Sequence, residues 1–220
     1  MAYKSKYTSA EIENKLDVVY NKYFNPVVPD EPVEPEPLPL GVLIQHVDGS
    51  LYTTDEWTAK GFASADANGV AVSAEECAFV IAKDNVGNHM WASSTSTLIK
   101  DALVTEDETT AISDYKGENN TKLMLATDTS GAGYSCANYS FPNGKKGYLP
   151  ALGELKVANN NMSEINVAMA MISGTALNGT YWSSTQSKET YAWAMYFGSY
   201  YGSFKYSKVN TRLVRPFTTL

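Results

Sequence analysis

Proline crowds one stretch of the chain, NPVVPDEPVEPEPLPL at residues 25–40, which holds six of the nine prolines. Proline fixes φ and has no amide hydrogen, so proline at every second or third position excludes a helix and a central strand. The acidic side chains between the prolines repel one another and favour an extended chain. We therefore predict a semi-rigid, polyproline-like linker that divides the chain into residues 1–24, 25–40 and 41–220. A ligand for a proline-binding module is the alternative interpretation of this stretch.

Residues 8–20, before the linker, carry the pattern of a short amphipathic helix. Thr8 and Glu11 have the spacing of a capping box. Ile12, Leu16 and Val19 follow at i, i+4 and i+7, which places them on one helical face. A helix of this length is marginal by itself in water, so the apolar stripe needs a partner. Self-association as a short coiled coil and docking to another structural protein both remain open, and residues 1–24 are predicted to be an attachment or oligomerisation helix.

Charge and hydropathy exclude two classes of partner. The 220 residues carry a net charge of −7, and the lysines and arginines are scattered. Nucleic acid and anionic membranes both require a basic face, so neither is expected to bind. No apolar run approaches the length of a membrane-spanning helix, and the N-terminus lacks the apolar core of a signal peptide. We expect synthesis in a bacterial cytoplasm, where Cys77 and Cys136 would be free thiols; a disulfide between them is the alternative.

Short β-rich runs flank two helical stretches in residues 41–220. Residues 42–52 predict a hairpin around an Asp-Gly-Ser turn, and residues 69–72 and 77–82 predict two more strands. One helix is expected just after Pro150 and another from an N-cap at Ser163 to a stop at Gly174, while residues 123–126 fit helix or strand. Short strands are predicted in the runs TYWSST, YAWAMYF, GSFKYS and TRLVRPF. This order of elements indicates an α+β fold.

Motifs for catalysis are missing from the sequence. It contains no G-x-S-x-G, Walker loop, H-E-x-x-H or C-x-x-C pattern, and His46 and His89 stand in no catalytic context. KDNVGNH at residues 83–89 mixes oxygen ligands with a glycine but lacks the register of an EF-hand, so we interpret it as a turn. The acids at residues 106–108 are interpreted as a solvated loop. We predict neither an enzyme nor a metal site nor a cofactor.

Tyrosine and serine dominate residues 181–211. Tyrosine supplies a large amphipathic contact at low entropic cost and serine supplies adaptable hydrogen bonding, which is the composition of evolved binding surfaces. A β-rich core with inward-facing tyrosines is the alternative, and Tyr191 and Tyr196 fit either interpretation. The predicted ligand-binding residues are Gln186, Ser187, Glu189, Tyr191, Tyr196, Ser199, Tyr200, Tyr201, Ser203, Lys205, Tyr206, Ser207 and Asn210.

Four motifs in the C-terminal half resemble a known family. They are GYLPALGEL, YWSST, AWAMYF and RLVRPF, and together they resemble C-type-lectin-like domains of the FISUMP type. The opening run GVLIQHVDGSLYT is similar to the same family. The resemblance implies a C-type-lectin-like head with short antiparallel strands and two helices, preceded by the short helix and the proline-rich stalk. Tyr148 departs from the pattern, because the family often has arginine there in a buried polar contact.

This fold is shared by the variable proteins of diversity-generating retroelements, including receptor-binding proteins of phage tails. The resemblance implies a variable region at about residues 181–214 on a scaffold that includes Trp182, Trp193 and Phe197. It also implies binding to a host cell-surface protein or glycan, display as a homotrimer, attachment to other tail proteins through the N-terminus, and localisation in the virion. The formylglycine-generating enzymes of this fold use a cysteine pair near the C-terminal half, whereas no cysteine follows Cys136 here. The calcium-binding lectins of this fold use E-P-N or Q-P-D with W-N-D, and the sequence has neither. The alternative is a structural virion or cell-surface adhesin domain with a fixed partner.

Overall fold

The computed structural model describes residues 8–23, 38–198 and 202–220. The chain divides into two compact units, Met1–Leu38 and Pro39–Leu220. Residues 25–37 of the predicted proline-rich linker lie outside the described residues, so its conformation stays a prediction. In the described part of the chain, no helix is both long and apolar enough to cross a bilayer.

The described residues of the first unit form one helix, α1 (Ser9–Tyr23). The backbone amide and the hydroxyl of Thr8 both donate to Glu11 Oε2, at 2.8 and 2.9 Å, and the Glu11 amide donates back to Thr8 Oγ1 at 3.3 Å. The predicted helix and its capping box are therefore confirmed. The side chains of Ile12, Leu16 and Val19 are exposed along one face, with Leu16 62% accessible.

The second unit, the head, is a mixed α+β structure with two five-stranded sheets. Its strands are β1 (Gly41–His46), β2 (Leu51–Tyr52), β3 (Ala67–Ser73), β4 (Ala78–Ile81), β5 (Gly87–Met90), β6 (Gly179–Lys188), β7 (Tyr191–Phe197), β8 (Gly202–Ser207), β9 (Thr211–Val214) and β10 (Phe217–Thr219). Its helices are α2 (Thr54–Lys60), α3 (Glu108–Ala111), α4 (Gly117–Thr127), α5 (Gly131–Asn138), α6 (Leu152–Asn160) and α7 (Met162–Met171), with a 3₁₀ turn at Ser64–Asp66.

The first sheet has the strand order β10-β4-β3-β1-β2 and is antiparallel throughout. Its central strand β3 is buried along its whole length. A Cβ at Gly69 would collide with the backbone carbonyl of Ile81, so β3 and β4 approach closely only because this position is glycine. The predicted hairpin at residues 42–52 and the strands at 69–72 and 77–82 are confirmed.

The second sheet has the order β5-β9-β6-β7-β8, with a parallel step between β6 and β9. Both faces of this sheet are covered by other parts of the head. Successive side chains of a strand point to opposite sides, so one strand can contribute to two cores. Two sets of side chains on β7 show this. Trp193 and Met195 join the main core beneath α6, α7 and the first sheet, whereas Ala192 and Ala194 join a second core with Trp91.

The chain passes from the second sheet to the first at Arg215. This side chain is fully buried, and its guanidinium donates to Asn85 Oδ1 at 2.7 Å and to the carbonyls of Ala82, Lys83 and Thr175 at 2.7 to 2.9 Å. Buried charge is tolerated where hydrogen bonds replace its hydration. Arg215 thus joins the two sheets and the loop that precedes β6.

Several sequence predictions need correction. The run KDNVGNH is not only a turn, because its second half forms β5, which pairs with β9. Ser163 lies inside α7, which begins at Met162 because Asn161 serves as its N-cap. Residues 123–126 belong to helix α4. The described residues of the head form six α-helices rather than two, since short helices such as α2 leave little periodicity in the sequence. The helix after Pro150 and the strands in the four C-terminal runs are confirmed.

The cysteines are free in the structure, as expected for reduced thiols. Cys136 is fully buried, and burial raises the pKa of its thiol well above the usual value. Burial also raises the pKa of Cys77 to about 12. Because the thiolate is the reactive form, neither cysteine is suited to nucleophilic chemistry.

Candidate functional site

The predicted ligand-binding residues fall into four groups by exposure. Ser199, Tyr200 and Tyr201 lie outside the described residues. Glu189, Tyr191, Lys205 and Asn210 are exposed, with Tyr191 37% accessible, and Tyr196, Ser203, Tyr206 and Ser207 are half-buried. Gln186 and Ser187 are buried. The exposed and half-buried residues gather on the hairpin of β7 and β8 and on the turns beside it.

Gln186 and Ser187 require a correction, because neither side chain reaches the surface. Both belong to β6, which lies between β9 and β7 and is covered on both faces. The Gln186 amide accepts a hydrogen bond from the Ile99 backbone amide at 2.8 Å and donates to the Ile99 carbonyl at 2.9 Å. Ser187 is 1% exposed and its hydroxyl has no partner among the described residues. These two side chains therefore belong to the buried structure that holds the β7–β8 hairpin and not to its surface.

Lys208 completes this buried support. Its ammonium donates to Gln186 Oε1 at 2.9 Å and to the Thr97 carbonyl at 2.5 Å, and it lies 4.3 Å from the centre of the Trp91 ring. Burial lowers the pKa of Lys208 to about 8, which the charge of Glu189 partly opposes. The interactions fix the loop of residues 91–104 against the second sheet.

The surface residues of the hairpin divide between two faces of the sheet. Directly opposite residues on antiparallel strands share a face. Tyr206 is opposite Ala192 and Phe204 is opposite Ala194, whereas Lys205 is opposite Trp193. We call the surface formed by Phe204, Tyr206 and Arg212 the aromatic face, and the surface formed by Ser203 and Lys205 with Glu106 and Glu108 the polar face.

The aromatic face is a stack of rings and one cation over a packed base. The Tyr206 ring meets Trp182 edge-on with centroids 6.2 Å apart, and Phe204 lies 6.3 Å from Tyr206. The Arg212 guanidinium lies 3.8 Å above the Tyr206 ring. Trp182 is fully buried beneath and its indole donates to the His89 carbonyl at 2.9 Å. Phe204 remains 45% exposed, so a rigid base presents an apolar ring to solvent.

The polar face is engaged by its own chain. Lys205 lies 5.1 Å from the centre of the Trp193 ring, and Ser203 donates to the Glu108 carboxylate. Lys188 pairs with Glu106 at 3.4 Å. The acids at residues 106–108, predicted as a solvated loop, are exposed and interact with the hairpin; Asp107 also caps α3 by accepting from the Thr110 amide at 2.7 Å.

A buried carboxyl group lies in the head, at the start of α6. Glu154 is 5% exposed, and its Oε2 accepts from the Ala151 amide at 2.7 Å while Oε1 accepts from the Tyr148 hydroxyl at 3.2 Å. Burial raises the pKa of Glu154 to about 8. Tyr148 therefore makes a buried polar contact at the position where the resembling family often has arginine. Because Glu154 is enclosed and bonded to the helix terminus, its role is structural.

Two residues of the aromatic face, Phe204 and Arg212, are not among the ligand-binding residues predicted from the sequence. Phe204 alternates with Tyr206 along β8, and that period of two was the available signal. Arg212 lies on β9, and its position over Tyr206 of β8 joins two strands that are not neighbours in the sheet, which no local pattern of the sequence indicates. Among the described residues, no three His, Cys, Asp or Glu side chains are grouped in a way that could hold a metal ion.

Comparisons with known proteins give two matches of different kinds. Residues 135–217 match a family described as a domain of unknown function (DUF8237), and this range contains the hairpin. A fimbrial protein from Bacteroides ovatus is similar in structure, with a TM-score of 0.57 and 16% sequence identity over 83% of this chain. The match covers 49% of the fimbrial protein, so the chain spans about half of its length. No curated protein matches the sequence. The structural likeness shows a shared fold.

Proposed function

We propose that the chain is a ligand-binding protein of adhesin type that uses the β7–β8 hairpin as its contact surface. The observation that carries the proposal is Phe204, an aromatic side chain 45% exposed above a fully packed base. Aromatic and arginine side chains dominate the energetics of binding surfaces, and tyrosine and serine add adaptable contacts around them. We propose a binding role rather than a catalytic one: in the described hairpin the Ser203 hydroxyl donates to Glu108, and no histidine of the hairpin accompanies this pair.

Retroelement diversification and a phage tail location are the finer parts of the proposal. The head would be a C-type-lectin-like domain displayed on the virion, with α1 attaching it to other tail proteins or forming a homotrimer. Burial on the hairpin supports such a design, since Ala192, Trp193 and Ala194 of β7 are buried while Phe204 and Lys205 of β8 are exposed. Surface positions could therefore vary without loss of the core.

A fixed partner is the second candidate, and one observation favours it. The fold likeness to the fimbrial protein from Bacteroides ovatus fits a cell-surface adhesin or a subunit that packs against constant neighbours. Sequencing the 3′ end of the gene across a natural population separates the two candidates. Substitutions confined to adenine positions at surface codons of residues 186–211, with Trp182 and Trp193 constant, support diversification. A uniform 3′ end supports the fixed partner.

The binding proposal itself is tested by truncating Phe204. We expect Phe204→Ala to weaken binding of the labelled full chain to a panel of bacterial surfaces by on the order of 2 kcal/mol, with an unchanged melting temperature. Val167→Ala is the matched control, because Val167 is an exposed apolar residue on α7, 56% accessible. Equal binding by wild type and Phe204→Ala would contradict the proposed surface.

A further inference from the structure

The second sheet has an unusual charge for a chain with a net charge of −7. None of its five strands, β5 to β9, contains an aspartate or a glutamate. The same strands contain Lys188, Lys205 and Arg212. Glu106 and Glu108 approach this sheet from outside it and lie on the polar face, and Glu189 lies in the turn between β6 and β7, where its charge acts on Lys208.

Arg212 is the cation of the aromatic face, and its charge has no described counter-ion. Its Nη1 donates to the Thr211 carbonyl at 2.7 Å, and its Cζ lies over the Tyr206 ring, 3.8 Å from the ring centre. No carboxylate among the described residues lies within ion-pair distance of it. By contrast, Lys188 is paired with Glu106. A planar guanidinium held by stacking is preorganised to bind a carboxylate through two parallel hydrogen bonds.

The shape of the aromatic face favours a macromolecular partner. Its side chains stand next to one another on a sheet, as Phe204 and Tyr206 do on alternate positions of β8. Small ligands prefer concave sites. An exposed aromatic ring beside an arginine, with polar residues such as Asn210 and Thr211 nearby in the chain, is typical of the centre of a protein–protein interface.

We propose, resting on the function proposed above, that the ligand is a protein surface that presents an aspartate or glutamate side chain to Arg212 and an apolar side chain to Phe204. The carboxylate would supply the counter-ion that the aromatic face lacks. The apolar side chain would cover the ring that the packed base leaves exposed.

Peptide selection tests this assignment. A library of random linear and disulfide-constrained peptides is panned against the immobilised full chain, and a glycan array that includes acidic sugars is probed in parallel. We expect the enriched peptides to be rich in aspartate and glutamate. The best of them should bind Arg212→Gln about tenfold more weakly than wild type. Its affinity should also fall as salt is raised.

Lys60→Gln is the matched control, because it removes one positive charge from an exposed position of α2, outside the second sheet. We expect it to leave affinity within about twofold of wild type. Thermal melting verifies that Arg212→Gln is folded. Should that variant unfold, Arg212→Lys keeps the charge and should retain the preference for acidic peptides, and the salt dependence of the wild type provides an independent measure.

Three results would overturn the proposal. One is enrichment of peptides without acidic residues, and another is an equal loss for Arg212→Gln and Lys60→Gln. The third is binding to glycans with no peptide enriched, which would leave the adhesin function standing with a different ligand. If neither peptides nor glycans bind and Phe204→Ala has no effect on cells, the proposed function itself fails.

Discussion

Glu154 illustrates how one buried side chain connects sequence to stability. Its carboxyl group caps the N-terminus of α6 by accepting from the Ala151 amide. Position 117 must be glycine, because a Cβ there would collide with Glu154 Oε2. Burial opposes ionisation and raises the pKa of Glu154 from 4.5 to about 8. The folded state therefore holds a proton that the unfolded chain releases.

This difference predicts a pH dependence of stability. Since the folded pKa of Glu154 lies above the unfolded value, the stabilisation is complete below about 4.5 and is lost as the pH rises towards about 8. Between these values, the free energy of unfolding of wild type should fall by a few kcal/mol relative to Glu154→Gln, which mimics the neutral acid. Urea unfolding at several pH values measures it.

The matched control for this pH series is Glu118→Gln, which removes an exposed carboxylate of α4 that pairs with Lys122 at 2.8 Å. An exposed pair contributes little to stability, so its pH profile should follow that of wild type. Parallel profiles for wild type and Glu154→Gln would show that the buried carboxyl does not titrate as inferred.

At the scale of the element, β6 separates support from contact surface. It is a central strand, so its polar side chains are buried and form hydrogen bonds inside the head; these side chains are Ser183, Ser184, Thr185 and Gln186. The hydroxyl of Thr185 donates to Asp114 Oδ2 at 2.8 Å, and the Leu152 amide donates to it at 2.9 Å. A run of serine and threonine therefore forms part of a buried polar network in β6, while β8 at the edge of the sheet carries its polar residues at the surface.

Removing the Gln186 amide should release the loop that it holds. We expect Gln186→Leu to lower the free energy of unfolding by about 3 kcal/mol, because the Ile99 amide and carbonyl and the Lys208 ammonium would lose a buried partner. Hydrogen exchange at the Ile99 amide should accelerate by more than global destabilisation explains. Asn210→Leu, the same replacement at an exposed amide, should change stability by less than about 0.5 kcal/mol. Similar losses for both variants would contradict the role of Gln186.

At the scale of the whole molecule, the two units differ in whether they bury their apolar side chains. The head contains its own cores, whereas α1 exposes Ile12, Leu16 and Val19. Tyr23 extends their spacing to a repeat of four, three and four residues, which is the heptad pattern of a coiled coil. The short helix gains stability only by burying that stripe.

We therefore predict that the full chain self-associates through α1 and that the head folds without it. Leu16→Glu should reduce the mass measured by light scattering to that of a monomer, and residues 39–220 alone should melt at the same temperature as the head of the full chain. Asn14→Glu introduces the same charge at another exposed position of α1 and should leave the mass unchanged. A monomeric wild type, or an unchanged mass for Leu16→Glu, would contradict the prediction and favour docking of α1 to a different protein.

Local signals explain what could be predicted from the sequence. The capping box of Thr8 and Glu11, the hairpin at residues 42–52 and the strands of the C-terminal runs each depend on residues close together in the chain, and all are confirmed. The equivalent capping box at Thr53 and Glu56 was present in the sequence and was overlooked, so α2 could have been found by the same rule. The domain boundaries and the function remain predictions.

Composition alone could not separate buried from exposed polar residues. Gln186 and Tyr206 both belong to the same Tyr- and Ser-rich stretch, yet one is enclosed and the other forms part of the aromatic face. The difference depends on pairings between distant parts of the chain, such as β5 with β9, which places His89 opposite Arg212. The sequence by itself determined the helices, turns and strands that short-range hydrogen bonds and periodicity specify. Only the tertiary structure decided which strand is central and which side chains meet solvent, because burial is a property of strand order and packing.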